Sequence, residues 1–447
     1  MATTTRNPEL TDVGGFLRRL GPTWLAGAIA AGPATMASLL TAGASFGYAL
    51  LWVVILSAVF GALGQHLAAR LGLFTEEGIV TTVEEHLGER WAWVLVADVV
   101  LAAGLAQLII MKTAADTSAA IAGSMGLATL ADPRIWGVTW AVILAVGLAG
   151  GGYRFAEIGA KLLVSVVVLA FLATALVVPI SPAEAAGGLV PAIPSGVGGA
   201  LVAAGIMGGA VHITLLTMQS YTMRARDWTR EDRDLAAFDI GTSMLVAFGI
   251  YSLAIFLVAA SVLEGTVDPA ALTEIQAAEA LGPLVGEYAT WLFLFGLLGA
   301  AVSTLGGNTV VPPYLLADKL DWELSIEDAR YRGLLAGVAL LSALGGFIEG
   351  AVLPLLVLVL AFGLVGTPFA LVVILVLLND RDVVPEGNPL WANAGGVVLV
   401  GVASVVAGSF VADELATVTE PLSALVVAFA AAMALATLAL VARAVVR

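Results

Sequence analysis

The 447-residue chain has no cysteine, only three histidines and few charged residues, and these shortages exclude several kinds of protein. Without cysteine, the chain can form neither disulfides nor thiolate metal sites. Three histidines cannot build a four-ligand zinc cage by themselves. Charged residues make up 12% of the chain, whereas soluble proteins carry about 25%. The composition therefore excludes an ordinary soluble domain.

Long apolar runs dominate what remains, since 60% of the residues are hydrophobic. A run of at least roughly 18 apolar residues can cross a bilayer as a helix. We predict an all-α polytopic membrane protein with about 12 transmembrane helices. One long kinked helix around Glu349-Gly350 could replace the ninth and tenth of them. The predicted segments are 20–44, 48–71, 92–127, 134–150, 156–179, 197–224, 235–263, 284–317, 330–348, 351–378, 391–411 and 421–443.

The positions of lysine and arginine predict the orientation of these helices. Cytoplasmic loops of membrane proteins are enriched in both residues. With a cytoplasmic N-terminus, all but two of the 19 basic residues fall at cytoplasmic ends or loops. Arg134 lies at an external end, and Lys112 lies inside helix 3. We therefore predict a multi-pass protein of the cell membrane with both termini cytoplasmic.

Two short breaks interrupt segments that are otherwise long enough to span. One is at 32–35 (GPAT) in helix 1, and the other is at 208–212 (GGAVH) in helix 6. An interrupted helix exposes backbone groups to hydrocarbon, which is tolerated where they line a cavity or bind a substrate. Helices 1–5 start inside and helices 6–10 start outside, so the two halves have inverted topology. Breaks in the first helix of each half predict a secondary transporter with its site near the midplane.

The same topology divides the chain into four parts. We predict a cytoplasmic tail at 1–19, a first inverted repeat at 20–180, a second repeat at 196–380, and two further helices at 390–447. Nothing in the sequence predicts an enzyme, a cofactor or a nucleic-acid partner. It has no glycine-rich phosphate loop, no nucleotide motif and no nucleophile–base pair.

Ionisable residues inside predicted helices are functional candidates, because they are costly in a bilayer. Lys112 and Asp116 are four residues apart on helix 3 and can form an ion pair. That pair is either structural or part of a proton or cation relay. Asp98 precedes Lys112 by roughly 21 Å along the helix axis, so it is expected nearer the cytoplasm, at the interface. His212 follows the second break, where it could carry a proton or brace the backbone.

Two further polar groups have a structural and a functional interpretation. Glu157 and Lys161, four residues apart at the start of helix 5, are expected to form an interfacial pair. The segment 303–308 (STLGGN) of helix 8 either allows close helix packing or lines the transport pathway.

Several segments, in order along the chain, resemble the Nramp family of divalent-metal transporters. The family has the LeuT-type fold, a 5+5 inverted repeat with broken helices 1 and 6. The resemblance runs from about Gly21 to about Asn393. Its motifs are GPTWL at 21–25, AGASFGYALLW at 42–52, QHLAARLG at 65–72, the stretch 116–127, LFGLLGAAVSTL at 294–305 and LVVILVLLNDR at 371–381.

The resemblance also implies where substrate binds, and here the chain departs from the family. Family members hold the metal with Asp and Asn of the helix-1 break and with a Met sulfur and a backbone carbonyl of helix 6. A second family carboxylate on helix 3 is replaced by Ala119. The implied substrate-binding positions are Gly32 (for Asp), Pro33, Thr35 (for Asn), Met207 (near the carbonyl), Ala210 (for Met) and His212. Of these, Thr35 and Met207 remain as possible metal ligands.

Two substrate classes stay open at this point. One is a divalent cation, of the Mn²⁺/Fe²⁺ type or a hard Mg²⁺-like ion, moved by alternating access with His212 and Asp116 as proton carriers. The alternative is an anionic or zwitterionic solute, which the positive N-termini of broken helices would suit. In that case Lys112 would stand in for a coupling cation. The expected partners are thus a small inorganic ion or small solute and the lipid bilayer.

Overall fold

The computed structural model describes residues 32–150, 154–194, 198–266 and 272–446, without the side chains of 154–157, 161 and 446. Within these ranges the chain is helical and contains no strand, which confirms the predicted all-α class. The N-terminal tail and the first half of predicted helix 1, with its GPTWL motif, lie outside the described residues, and the predicted Glu157–Lys161 pair lies outside the described side chains.

Nineteen α-helices are numbered here in chain order. In the first half they are α1 (Pro33–Phe46), α2 (Leu51–Thr75), α3 (Ile79–Leu87), α4 (Glu89–Ser124), α5 (Pro133–Ala149), α6 (Arg154–Ala175) and α7 (Pro182–Gly187). The second half contains α8 (Gly199–Val211), α9 (Ile213–Arg224), α10 (Arg233–Ile240), α11 (Gly249–Val262), α12 (Glu274–Ala278), α13 (Gly282–Val285), α14 (Ala289–Thr309), α15 (Val311–Lys319), α16 (Ala329–Leu341) and α17 (Val352–Asn379). The last two are α18 (Leu390–Ala416) and α19 (Pro421–Val446).

Helices lie at all twelve predicted segments. In the described ranges, nine continuous helical stretches are long and apolar enough to cross a bilayer. The other three segments correspond to α1, to the 17-residue α5, and to α16 with its 3-10 continuation Ser342–Phe347. The pair around Glu349-Gly350 forms two helices. The 3-10 turn ends at Phe347, Gly350 adopts a φ of +99°, and α17 begins at Val352.

The apolar helix α17 forms the centre of the molecule and packs against α8, α1, α4 and α18. It carries no ionisable side chain and is buried along most of its length. Gly208 of α8 allows the closest approach, because a Cβ there would collide with the carbonyl oxygen of Leu360. Small residues at such a crossing let two membrane helices pack backbone to backbone.

The break in helix 6 is narrower than predicted. Only His212 leaves the helical conformation, with φ −56° and ψ 137°, while Gly208 and Gly209 stay within α8. The two glycines serve close packing and do not unwind the chain. The carbonyl that the break releases on Val211 accepts a hydrogen bond from Thr367 Oγ1 of α17, at 2.9 Å.

The break in helix 1 is described only on its C-terminal side. Gly32 is extended, with φ −68° and ψ 178°, and α1 begins at Pro33. Proline suits the first position of a helix, where its missing N–H costs nothing. The N-terminus of α1 and the residue that separates α8 from α9 both face one cavity.

Candidate functional site

A cavity of about 280 Å³ lies where the two breaks meet. Residues of α1, α4, α8, α9, α14, α15 and α17 line it, so both halves of the chain contribute. Among its described lining residues, His212 is the one ionisable side chain. The other polar side chains that line the cavity are Thr35, Thr214, Gln219, Thr222, Thr304 and Asn308.

Thr35 and Gly209 pack against each other at the wall of this cavity. Thr35 is buried in α1, and a Cβ on Gly209 would lie 2.6 Å from its Oγ1. Gly209 lies in the predicted break at 208–212 but was not among the predicted substrate-binding residues. The rotation of the helix could have indicated it. Consecutive residues point about 100° apart around a helix axis, so Gly209 and Ala210 cannot both face the cavity directly.

Four of the six predicted substrate-binding residues line the cavity: Gly32, Pro33, Thr35 and His212. The side chains of Met207 and Ala210 do not. Met207 is fully buried outside the lining. The Cβ of Ala210 faces α2, at 3.2 Å from where a Cβ on Gly61 would be. The position that should carry the family's Met sulfur therefore points away from the cavity, and the Met207 side chain cannot supply a thioether there.

His212 braces the break as well as lining the cavity. Its Nδ1 accepts a hydrogen bond from the backbone N–H of Thr214 at 3.3 Å and lies 2.8 Å from Thr214 Oγ1. The ring packs against Gly363 of α17, where a Cβ would collide with Nε2. Nε2 itself is buried and lies toward the backbone of Val359. The imidazole is thus held at the break through Nδ1.

Lys112 and Asp116 form the predicted ion pair, but away from the cavity. Lys112 Nζ lies 2.7 Å from Asp116 Oδ2 and donates to the carbonyl of Ile348 at 2.8 Å. Their side chains are 4% and 22% exposed. Both line a separate pocket of about 360 Å³ that also contains Arg134 and Glu349. The structure therefore does not bring this pair together with His212.

A polar network that joins α4 to α14 lies beside the cavity. Asn308 Nδ2 donates to the carbonyl of Ala103 at 2.8 Å and to Gln107 Oε1 at 2.9 Å. Gln107 Nε2 in turn donates to Thr309 Oγ1 at 2.7 Å. Because both N–H groups of Asn308 are used, its Oδ1 is the atom left to accept a hydrogen bond or bind a cation. Gln107 was not predicted from the sequence, and the signal that could have found it is a lone amide in an apolar helix.

The cavity therefore has a mostly apolar wall with a few neutral oxygen donors. Within the part of the chain that the structure describes, no three His, Asp or Glu residues lie close enough together to hold a metal ion. Among the described residues that line the cavity, Met218 of α9 is the one with a sulfur atom, about 9 Å along the helix axis from His212.

These features define a class of protein. An all-helical, multi-pass membrane chain with interrupted helices around a central cavity is a secondary transporter of the discontinuous-helix type. The chain belongs to the Nramp family, because the family described as "Natural resistance-associated macrophage protein-like" matches residues 23–413. That match confirms the resemblance found in the sequence.

Comparison with individual proteins agrees with this assignment. A divalent metal cation transporter, MntH, of Mycobacterium tuberculosis (strain ATCC 25618 / H37Rv) is 29% identical over 384 residues, which cover 83% of this chain and 85% of that protein. A mutant of the Eremococcus coleocola manganese transporter has a similar structure, with a TM-score of 0.72 at 17% identity, covering 99% of this chain and 97% of that one. A nucleobase-cation-symport-1 family transporter has a TM-score of 0.52 at 16% identity, covering 95% and 92%. The structural likenesses show the fold.

Proposed function

We propose that this chain is a secondary-active transporter that moves a divalent metal cation across the cell membrane by alternating access, with both termini cytoplasmic. The family match supports this proposal, as do relatives named divalent metal cation transporters. The alternative of an anionic or zwitterionic solute gains no support from these comparisons. We further propose that 20–180 and 196–380 are the two inverted repeats.

The observation that carries the proposal is the small set of neutral oxygen donors in the mostly apolar wall of the cavity at the break. Thr35 Oγ1 and Asn308 Oδ1 are hard oxygen donors at its wall. The N-terminus of α1 and the C-terminus of α8 meet at the cavity, so their opposite partial charges offset each other. The choice of a cation therefore rests on these oxygens and on the family match.

The same donor set indicates which divalent cation fits. A cation that must lose all its waters needs carboxylate or sulfur ligands in return. Gly32 provides no carboxylate and Ala210 no sulfur. A hard cation such as Mg²⁺ keeps several waters and needs few direct ligands. The cavity of about 280 Å³ far exceeds the roughly 10–15 Å³ that one water needs, so a hydrated ion fits.

We therefore propose that the substrate is a largely hydrated, hard divalent cation. Mn²⁺, which also accepts oxygen ligands, is expected to follow Mg²⁺, whereas Cd²⁺, which prefers sulfur, is expected to be transported poorly. His212 is the proposed proton carrier of the cavity. The Lys112–Asp116 pair, which lies in its own pocket, is proposed to hold α4 against the turn before α17.

The test is cation uptake by the purified full-length chain in liposomes. Mg²⁺, Mn²⁺ and Cd²⁺ are supplied separately, with internal pH followed in parallel and protein-free liposomes as the control. We expect uptake of Mg²⁺ and Mn²⁺ above the control and little uptake of Cd²⁺. Strong uptake of Cd²⁺ alone would contradict a hard site, and no uptake of any cation by folded protein would contradict the function.

A further inference from the structure

Three arginines meet at a pocket that lies away from the cation cavity, at the proposed cytoplasmic side. Arg230 and Arg233, at the start of α10 and in the turn before it, line a space of about 300 Å³. A smaller recess of about 30 Å³ adjoins it, is lined by the same two residues, and adds Arg70 of α2. Phe74 also lines both spaces. We refer to the two together as the arginine pocket.

The charge of the arginine pocket is opposite to that of the chain. Glu386, in the loop between α17 and α18, is the one acidic residue among the described residues that line it. Three arginines and one glutamate give this lining a net charge of +2, whereas the whole chain has a formal net charge of −15. Arginine stays protonated at any physiological pH, so the pocket attracts anions.

The guanidinium of Arg70 is held in place from two sides. Its Nη2 donates a hydrogen bond to the carbonyl of Gly387 at 2.9 Å, and its Cζ lies 4.9 Å from the centroid of the Phe74 ring. Its Nε is buried and has no hydrogen-bond partner among the described residues. A guanidinium has five N–H groups, and the bond to Gly387 uses one of them. Arg70 therefore offers fixed and available donors.

The two arginines of the larger space are free to rearrange around a ligand. Arg230 and Arg233 are both exposed. Arg233 has an acidic neighbour in Asp234, but the Nε–Oδ1 distance is 3.8 Å and the two side chains are 72% and 58% exposed. Such an exposed ion pair contributes little, so it does not prevent Arg233 from binding another anion.

The pocket lies at the level where a bilayer has its headgroups. His66, which lines the smaller recess, contacts the ring of Trp391 in the first turn of α18, with centroids 5.3 Å apart. Trp391 and the neighbouring Leu390 are 61% and 84% exposed. Exposed tryptophan is typical of the boundary between lipid and water. Leu245 and Val397, which follow α10 and Trp391 toward the bilayer centre, are exposed and apolar.

We propose that the arginine pocket binds the phosphodiester headgroup of an anionic phospholipid from the cytoplasmic leaflet. The planar fork of arginine matches two phosphate oxygens, and basic pockets between membrane helices at this face suit lipid headgroups. The exposed Trp391 and Leu390 beside the pocket favour a lipid over a phosphate ion from solution. Glu386 opposes the phosphate and limits the affinity. This inference goes beyond the proposed transport function and is tested by binding alone.

The test is thermal unfolding of the purified full-length chain in neutral detergent micelles. Dioleoylphosphatidylglycerol, dioleoylphosphatidylcholine or inorganic phosphate is titrated in separate samples. A ligand that binds the folded state raises the melting temperature according to its concentration and affinity. We expect the phosphatidylglycerol to raise it at lower concentrations than the phosphatidylcholine, and the inorganic phosphate to have little effect.

The double variant Arg230→Gln with Arg233→Gln should weaken the response to phosphatidylglycerol, with an apparent affinity lower by on the order of tenfold. Both side chains are exposed, so the fold should be retained. Arg224→Gln with Arg226→Gln is the matched control. It removes the same charge from two exposed arginines on the same side of the membrane, which do not line the pocket. Its response should equal that of the unaltered chain.

Glu386→Gln provides a change of the opposite sign, because it removes the negative charge that faces the phosphate. It should increase the affinity for phosphatidylglycerol, whereas Asp382→Asn, an exposed position of the same loop outside the pocket, should not. Equal stabilisation by the two phospholipids, or equal responses of the two double arginine variants, would overturn the proposal. Stabilisation by inorganic phosphate that matches phosphatidylglycerol would also overturn it, since the anion would then come from solution.

Discussion

Gly209 of α8 lies directly opposite Thr35 of α1, so that a Cβ on the glycine would sit 2.6 Å from the threonine hydroxyl oxygen. The two residues come from the two broken helices, and they pack against each other at the wall of the cavity. The absence of a side chain at 209 allows Thr35 to occupy this position, and an added methyl group would displace it.

Gly209→Ala should therefore lower the apparent affinity for Mg²⁺ while the fold persists. Alanine favours a helix over glycine by about 1 kcal/mol, so stability should not fall for local reasons. Cation uptake at several Mg²⁺ concentrations, together with thermal unfolding, measures both effects. Gly104→Ala is the control, because a Cβ there would meet nothing within 4 Å. Equal affinity in Gly209→Ala and Gly104→Ala would show that the position of Thr35 does not matter.

The double substitution Gly32→Asp with Thr35→Asn should shift the cation selectivity of the site toward transition metals. Both positions line the cavity, and the extended backbone of Gly32 accepts any side chain. A carboxylate there replaces waters of the ion with a direct ligand. We expect Mn²⁺ and Cd²⁺ affinity to rise by at least about tenfold, or about 1.4 kcal/mol. Binding measured by calorimetry tests this, and no gain would mean that the surrounding walls exclude a dehydrated ion.

Lys112→Met should reduce stability rather than alter transport. The substitution leaves Asp116 and the carbonyl of Ile348 without their donor. The expected loss is roughly 1–3 kcal/mol, between the values for exposed and buried pairs, since Asp116 is partly exposed. Thermal unfolding of Lys112→Met, Asp116→Asn and the double variant gives the coupling energy. A changed pH dependence of uptake at unchanged stability would instead assign this pair to ion coupling.

Thr367→Val should destabilise the break in helix 6. The hydroxyl of Thr367 donates to the carbonyl of Val211, which has no partner within its own helix because the helix ends there. Valine keeps the shape and removes the donor, at an expected cost of about 1–3 kcal/mol for the unsatisfied buried carbonyl. Thr174→Val is the control, since the equally buried hydroxyl of Thr174 bonds only within its own helix. Similar melting temperatures for the two variants would argue against this role.

Glu77→Gln should stabilise the protein at neutral pH and have no effect in acid. Glu77 lies in the loop after α2, where burial, followed by the nearby Glu85 and Asp318, raises the pKa of its carboxyl group. A carboxyl whose folded pKa is raised contributes stability at low pH and loses it as pH rises through that pKa. Thermal unfolding at neutral pH and below about pH 4 tests the sign. Glu76→Gln, at the exposed neighbouring position, should change neither value.

The sequence predicted the helices and their breaks, because length and hydropathy decide which segments span. It also predicted the Lys112–Asp116 pair, since a spacing of four residues on a helix is a local relationship. The transfer of the family's ligand positions onto this chain, residue by residue, failed at Ala210. There Val211 replaces the family proline, and the break consists of His212 alone. Gly209, rather than Ala210, therefore lies on the side of α8 that lines the cavity.

Asp98, which was expected at the interface, is 1% exposed and packs against Gly366 of α17. Its burial could not be read from its own helix. It depends on how α17 packs across α4, which is a contact between residues more than 250 positions apart in the chain. The Asn308–Gln107 network is also long-range, since it joins residues 201 positions apart. Long-range packing thus decided which polar residues meet and which face the cavity.

Mg²⁺ uptake by the unaltered chain and by Asn308→Leu, in matched liposomes, tests the central claim most directly. The substitution removes the cavity oxygen Oδ1 from a residue of the described wall, and size-exclusion chromatography shows whether the variant remains folded. The account predicts uptake by the unaltered chain and a marked loss of uptake in the folded variant. Equal uptake by both proteins, or none by the unaltered chain, would contradict a divalent-cation site at the break.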